Sequence, residues 1–122
     1  MAWLTDLARV MAPRGVAAIS THGYPVLDTI VSSKQHQEMY GLDQNSATRL
    51  RDTLPVRQWI FLPYGKALAS AANVNGIEYG NSFTDPQLPS SRWTTHFEVA
   101  SHIPGGLRGW QDIFLLRRKS TG

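Results

Sequence analysis

The sequence contains no cysteine. This absence excludes disulfide bonds, thiolate zinc sites and cysteine nucleophiles, so the fold must depend on packing alone. No apolar run approaches the ~20 residues of a membrane span, and the N-terminus has Asp6 and Arg9 on a periodic pattern where a signal peptide would have an apolar core. We therefore expect a cytoplasmic protein with no membrane partner.

The sequence also lacks a large excess of charge of either sign. Twelve lysines and arginines stand against nine acidic residues, and part of the net charge of +3 comes from the tail at Arg117, Arg118 and Lys119. The remaining basic residues are too dispersed for a nucleic-acid surface, so we expect no nucleic-acid partner. With 42% apolar and 17% charged residues in 122 positions, the composition predicts one globular domain over residues 1–122.

Groups that carry catalysis or hold metals are few. His36, His96 and His102 are isolated in the sequence, without the spacing or the neighbouring carboxylates that a metal site needs, so we expect no metal. No serine stands in a Gly-x-Ser-x-Gly setting. The residues alone therefore predict no catalytic group.

The apolar pattern predicts an α/β domain with a small mixed sheet and two to four helices. A helix over 2–12 is followed by Pro13 and Gly15, which favour a tight turn. Asp43 or Ser46 is expected to cap a helix that Pro55 ends after residue 54. Weaker helical patterns cover 27–40 and the segment after Asp85, and 64–82 reads as loop or short hairpin. The predicted strands are 16–20, 58–62, 97–103 and 110–117.

Four segments of the sequence resemble one family. They are residues 3–15, which run into Pro-Arg-Gly; 16–23, an apolar strand ending in Thr-His-Gly; 79–83 with Trp93; and the pair 97–99 and 109–116, which includes Gly-Trp-Gln-Asp. Their order and spacing resemble the C-terminal, substrate-side half of a class I S-adenosylmethionine-dependent methyltransferase domain. The resemblance implies that strands 16–20, 97–103 and 110–117 correspond to the fifth, sixth and seventh strands of that fold.

The same resemblance implies that the cofactor half is missing. The family holds S-adenosylmethionine with a glycine-rich loop and an acidic residue that would both precede residue 1. No Gly-x-Gly-x-Gly occurs in this chain, and Gly105-Gly106 lies before a strand, which is the setting of a turn. We therefore expect no cofactor on the isolated chain, and S-adenosylmethionine only if another chain supplies the missing half.

Five residues are candidates for a substrate-binding pocket. His22 follows a buried strand in a polar loop, where an imidazole suits proton transfer or ligand binding. Tyr24, Tyr79, Phe83 and Trp110 are candidate aromatic walls. The structural alternative is a loop histidine bonded to backbone and aromatic residues that belong to the core.

Two further residues are expected to act in the structure. Gln111 and Asp112 open the last strand, where their side chains are expected to hydrogen-bond to the glycine-rich loop.

Loss of the fourth family strand would leave strand 16–20 as an apolar edge with free N–H and C=O groups. Such edges recruit another strand, and pairing with a second copy about a two-fold axis predicts a homodimer. Three alternatives stay open. The chain completes a split methyltransferase with a partner chain that carries the cofactor half, or it binds a small ligand without catalysis around His22 and Tyr79, or it is a truncated product without present function.

Overall fold

A computed structural model of the chain describes residues 2–63 and 80–120. This part contains five helices and five strands. The helices are α1 Ala2–Val10, α2 Tyr24–Ser32, α3 Lys34–Met39, α4 Gln44–Arg57 and α5 Gln87–Arg92. The strands are β1 Val16–Thr21, β2 Trp59–Pro63, β3 Gly80–Thr84, β4 Phe97–Leu107 and β5 Gln111–Arg118. The α/β class is confirmed, and the described residues exceed the two to four helices that were expected.

The strands form two antiparallel sheets. One has the order β1-β5-β4, and the other consists of β2 and β3. The expectation of one mixed sheet is wrong for the described residues, because strand 58–62 pairs with β3 in the second sheet. A single parallel bridge, His22 with Phe83, connects the end of β1 to β3.

Two hydrophobic clusters explain the separation of the sheets. The first cluster joins α2, α3 and α4 to β2 and β3, with Leu27, Leu54 and Phe83 fully buried. The second joins α1 and α5 to the three-stranded sheet around Phe97 and Phe114. Each sheet therefore buries its apolar face against its own helices.

Two helix boundaries differ from the sequence prediction. The pattern over 27–40 divides at Ser33, an extended residue whose hydroxyl accepts a hydrogen bond from the N–H of His36 at 3.3 Å and so caps α3. Helix α4 continues past Pro55 to Arg57. Pro55 has no N–H to donate to the carbonyl four residues back, and the helix ends only two residues later. Gln58, in the left-handed conformation, closes the helix by donating its N–H to the carbonyl of Leu54 at 2.7 Å.

The outer edge of β1 carries unpaired backbone groups. Gly15 is bonded to Arg118, on the β5 side, whereas the N–H and C=O of His22 bond to β3 on the opposite side. Successive residues of a strand point these groups in alternate directions, so the N–H and C=O groups of Val16, Ala18 and Ser20 face away from β5. Within residues 2–63 and 80–120, no strand pairs with them.

No helix in the described ranges is long and apolar enough to cross a membrane.

Candidate functional site

The loop that follows β1 brings His22 into a buried network. Its side chain is 6% exposed, and its Nε2 lies 3.1 Å from the hydroxyl of Tyr40. The backbone of His22 is held on both sides, since its N–H donates to Ser82 at 3.0 Å and its carbonyl accepts from Thr84 at 2.9 Å. Burial lowers the pKa of His22 because the charged imidazolium loses hydration. The neutral imidazole is therefore the favoured form at this position.

Tyr40 joins His22 to Trp110. The indole Nε1–H of Trp110 donates to the Tyr40 hydroxyl at 2.9 Å, and the two rings are stacked with centroids 6.4 Å apart. The prediction placed His22 and Trp110 in one pocket, and the structure brings them together through this hydroxyl. Tyr40 itself was missed, since in the sequence it reads only as the last apolar position of a weak helical pattern.

Tyr24 and Phe83 flank this network in different ways. The Tyr24 hydroxyl donates to Asp85 Oδ2, and the guanidinium of Arg51 lies 4.3 Å above its ring. Burial first, and then the hydrogen bond with the Asp85 carboxylate, raises the pKa of Tyr24, which therefore stays protonated. Phe83 is fully buried in the first hydrophobic cluster. Tyr79 lies outside the described residues.

A second polar pair lies on the other side of the loop, between His102 and Asp112. Asp112 is 1% exposed, and its Oδ2 lies 2.7 Å from His102 Nε2. Its Oδ1 accepts from the N–H of Gly105 at 3.0 Å, which confirms for Asp112 the bond expected from the start of the last strand, although Gly105 lies in β4. The His102 ring stacks on Phe114 with centroids 4.5 Å apart.

The carboxylate of Asp112 also explains Gly23. A Cβ at position 23 would overlap the carboxylate group of Asp112, so only glycine fits there. No carboxylate partner was found for His102 in the sequence, because only neighbours along the chain were considered. This interpretation is wrong, since Asp112 is that partner. The hairpin places His102 and Asp112 near each other, since His102 pairs with Phe114, two residues from Asp112 on β5. The expected turn at Pro104-Gly105-Gly106 is wrong, because these residues lie in the irregular end of β4 and the turn is at residues 108–110.

The His102–Asp112 pair has the geometry in which a carboxylate orients an imidazole. The hydrogen bonds of the described side chains give His102 Nδ1 no nucleophile to activate. No group of three histidine, cysteine, aspartate or glutamate side chains in residues 2–63 and 80–120 is arranged to hold a metal ion. What the arrangement does, as it stands, is fix the loop after β1 against the β4–β5 hairpin.

A cavity opens beside this loop, where β1 and β3 diverge. It has a volume of about 500 Å³, and its lining consists of Trp3, Ile19, Ser20, Thr21, Trp59, Ser82, Thr84 and Trp93. Of the predicted pocket residues, the four that the structure describes, His22, Tyr24, Phe83 and Trp110, do not line this cavity. Its tryptophans, at positions 3, 59 and 93, are visible in the sequence, but no sequence pattern brings them together.

Comparison of the chain with protein-family models, with curated proteins and with solved structures found no match.

Proposed function

We propose that this chain is a methyltransferase-like fragment, not catalytic on its own, that forms a homodimer through the exposed edge of β1. The observation that carries the proposal is the row of unpaired N–H and C=O groups at Val16, Ala18 and Ser20. The strand order adds support. Strand β1, which resembles the fifth family strand, pairs with β5, which resembles the seventh, and the resemblance implies this pairing.

Among the described residues, no other strand pairs with the outer edge of β1. Residues 16–20 contain no charged side chain and no proline, and Val16 is 55% exposed. Antiparallel pairing of two copies centred on Ala18 would supply about six hydrogen bonds between the chains.

The opposite edge of the same sheet is protected. Strand β4 has register shifts between Val99 and Ser101 and between Ile103 and Leu107, and it contains Pro104. Irregular pairing and proline both prevent an edge from accepting another strand. The sheet therefore has one edge suited to association, and that edge is β1.

The test compares the same substitution on the two edges. Ala18→Lys places a charge on the exposed face of β1, and Ala100→Lys places one at the exposed irregularity of β4. Sedimentation equilibrium at micromolar concentration is expected to give a dimer for the unchanged chain and for Ala100→Lys, and a monomer for Ala18→Lys. A folded monomer for the unchanged chain would contradict the proposal.

The same edge fits a partner chain that carries the cofactor half. The oligomeric state of the isolated chain distinguishes this second hypothesis from the first. Under the second hypothesis, the chain would be monomeric until the partner is present. It would also bind S-adenosylmethionine only within the complex. Calorimetric titration of the purified chain with S-adenosylmethionine is expected to show no binding, since no glycine-rich cofactor loop occurs in the sequence.

A further inference from the structure

Trp59 lines two cavities, and none of His22, Tyr24, Phe83 and Trp110 lines either of them. The first is the cavity of about 500 Å³ beside β1, with tryptophan side chains at positions 3, 59 and 93. Trp3 and Trp93 meet edge to face at 5.6 Å. A volume in this range suits a small organic ligand, and indole walls favour a flat aromatic one.

Besides the indole N–H groups, the polar side-chain groups of the described lining of the first cavity are hydroxyls. Thr21 Oγ1 lies 2.8 Å from Thr84 Oγ1 and donates to the carbonyl of Ser82 at 3.0 Å. The Thr84 hydroxyl must then donate to Thr21, which leaves its own lone pairs available as acceptors. Ser20 and Ser82 contribute two more hydroxyls to the lining. None of the described residues that line this cavity has an ionisable side chain, so the cavity suits a neutral ring with hydrogen-bonding edges.

The second cavity, of about 490 Å³, has a different chemistry. Its lining is Arg57, Gln58, Trp59, Leu88 and Arg92. Neither arginine belongs to an ion pair of the described residues. Their charges are therefore available to an anion, and guanidinium groups bind carboxylates and phosphates with two parallel hydrogen bonds.

Asp85 is not among the residues that line this cavity. Asp85 is adjacent, since its N–H donates to the carbonyl of Gln58 at 2.9 Å. Its own oxygens accept from the Tyr24 hydroxyl and from the N–H of Gln87. The cavity therefore keeps a net positive lining.

From this arrangement, we propose that the two cavities form one binding site for an aromatic ligand that carries a negatively charged group. The ring lies against Trp59 in the tryptophan cavity, and the carboxylate or phosphate reaches the guanidinium groups of Arg57 and Arg92. The site is independent of the homodimer, because it uses side chains of one chain.

The test holds the ring constant and changes its substituent. The unlabelled compounds 1-naphthol, 1-naphthaleneacetate and 1-naphthyl phosphate are titrated into ¹⁵N-labelled protein, and the indole N–H signals are followed by NMR. The four tryptophans include an internal control, because Trp110 lies in the hydrogen-bond network with Tyr40, outside both cavities. We expect saturable shifts at Trp3, Trp59 and Trp93 but not at Trp110. At least one of the anionic compounds is expected to bind about fivefold or more tightly than 1-naphthol.

Variants separate the two halves of the site. Arg57→Gln and Arg92→Gln are each expected to weaken binding of the preferred anion about fivefold and to leave 1-naphthol unchanged. Trp59→Leu is expected to weaken all three compounds, and Arg49→Gln, on the same helix as Arg57, serves as the matched control. Equal affinity for the charged and neutral compounds, or equal shifts at all four indoles, would overturn the proposal.

The dimer is controlled in the same experiment. The titration is repeated with Ala18→Lys, which removes the proposed association but none of the cavity lining. Binding by that variant with the same preference for an anion would support the site even if the homodimer proposal failed. Loss of the anion preference in the folded variant would count against a site formed within one chain.

Discussion

Replacement of Asp112 by alanine tests the buried pair at the β4–β5 hairpin. The substitution removes the acceptor for the N–H of Gly105 at 3.0 Å and the partner of His102 Nε2 at 2.7 Å. A neutral hydrogen bond contributes about 1 kcal/mol, and one to a charged group contributes about 1.5–3 kcal/mol. Because His102 keeps 25% side-chain exposure and regains water, we expect a loss of about 2–3 kcal/mol in the free energy of unfolding.

The assay is chemical denaturation followed by circular dichroism, together with thermal melting. For a chain of this size, 2–3 kcal/mol corresponds to a fall of about 8–12 °C in melting temperature. Asp112→Asn is expected to lose less, about 1 kcal/mol, since its Oδ1 still accepts from Gly105. Asp6→Ala is the control, because its ion pair is 73% exposed and contributes about 0–1 kcal/mol. If Asp112→Ala is as stable as Asp6→Ala, the carboxylate does not hold the hairpin.

Three further substitutions test the loop after β1. Gly23→Ala is expected to cost about 2 kcal/mol or more by denaturation, because its methyl group overlaps a buried carboxylate, whereas Gly109→Ala has open space and costs only about 1 kcal/mol for its positive φ. A smaller loss for Gly23→Ala than for Gly109→Ala would contradict this packing. Burial depresses the folded-state pKa of His22 below its ordinary value of about 6.5, so the unfolded chain binds more protons. Its contribution to stability is then complete above pH ~6.5 and declines as the pH falls towards the folded-state pKa. The free energy of unfolding of His22→Gln, measured by denaturation at several pH values, should not decline in this way as the pH falls. The same pH dependence in His22→Gln and in the unchanged chain would refute the lowered pKa of His22. Tyr24→Phe removes a hydrogen bond to a carboxylate and is expected to lower the free energy of unfolding by about 1–2 kcal/mol. A melting temperature equal to that of the unchanged chain would contradict this prediction.

Local signals in the sequence located most of the elements. The cap at Asp43 is confirmed, with its Oδ1 accepting from the N–H of Ser46 at 2.7 Å, because a cap depends on residues three positions apart. Strands β1, β4 and β5 were predicted within a few residues of their observed bounds, since apolar runs between turn residues are also local features. The strand Gly80–Thr84 was not among the predicted strands, since most of its residues fall in the segment 64–82 that was interpreted as loop or short hairpin. It is extended because its backbone pairs with β2 and Phe83 fills the first hydrophobic cluster.

The candidate site shows the limit of the same reasoning. His22 and Trp110 were predicted together, but the hydroxyl that joins them belongs to Tyr40, and the His102–Asp112 pair was missed. The residues that line the cavities beside Trp59 come from both sheets and from helices α1, α4 and α5. Their approach depends on how the two sheets separate, and no spacing along the chain encodes that distance.

The sequence by itself determined the α/β class, the absence of cysteine chemistry, the caps and turns, and the apolar strand at residues 16–20. These properties follow from composition and from interactions within a few positions of the chain. Only the tertiary structure decided that the strands divide into two sheets, that β1 keeps an open edge, and that Trp59 stands between an aromatic cavity and a pair of arginines. Those features arise from contacts between residues far apart in sequence, where burial of Phe83 and Phe114 in separate clusters determines which surfaces meet.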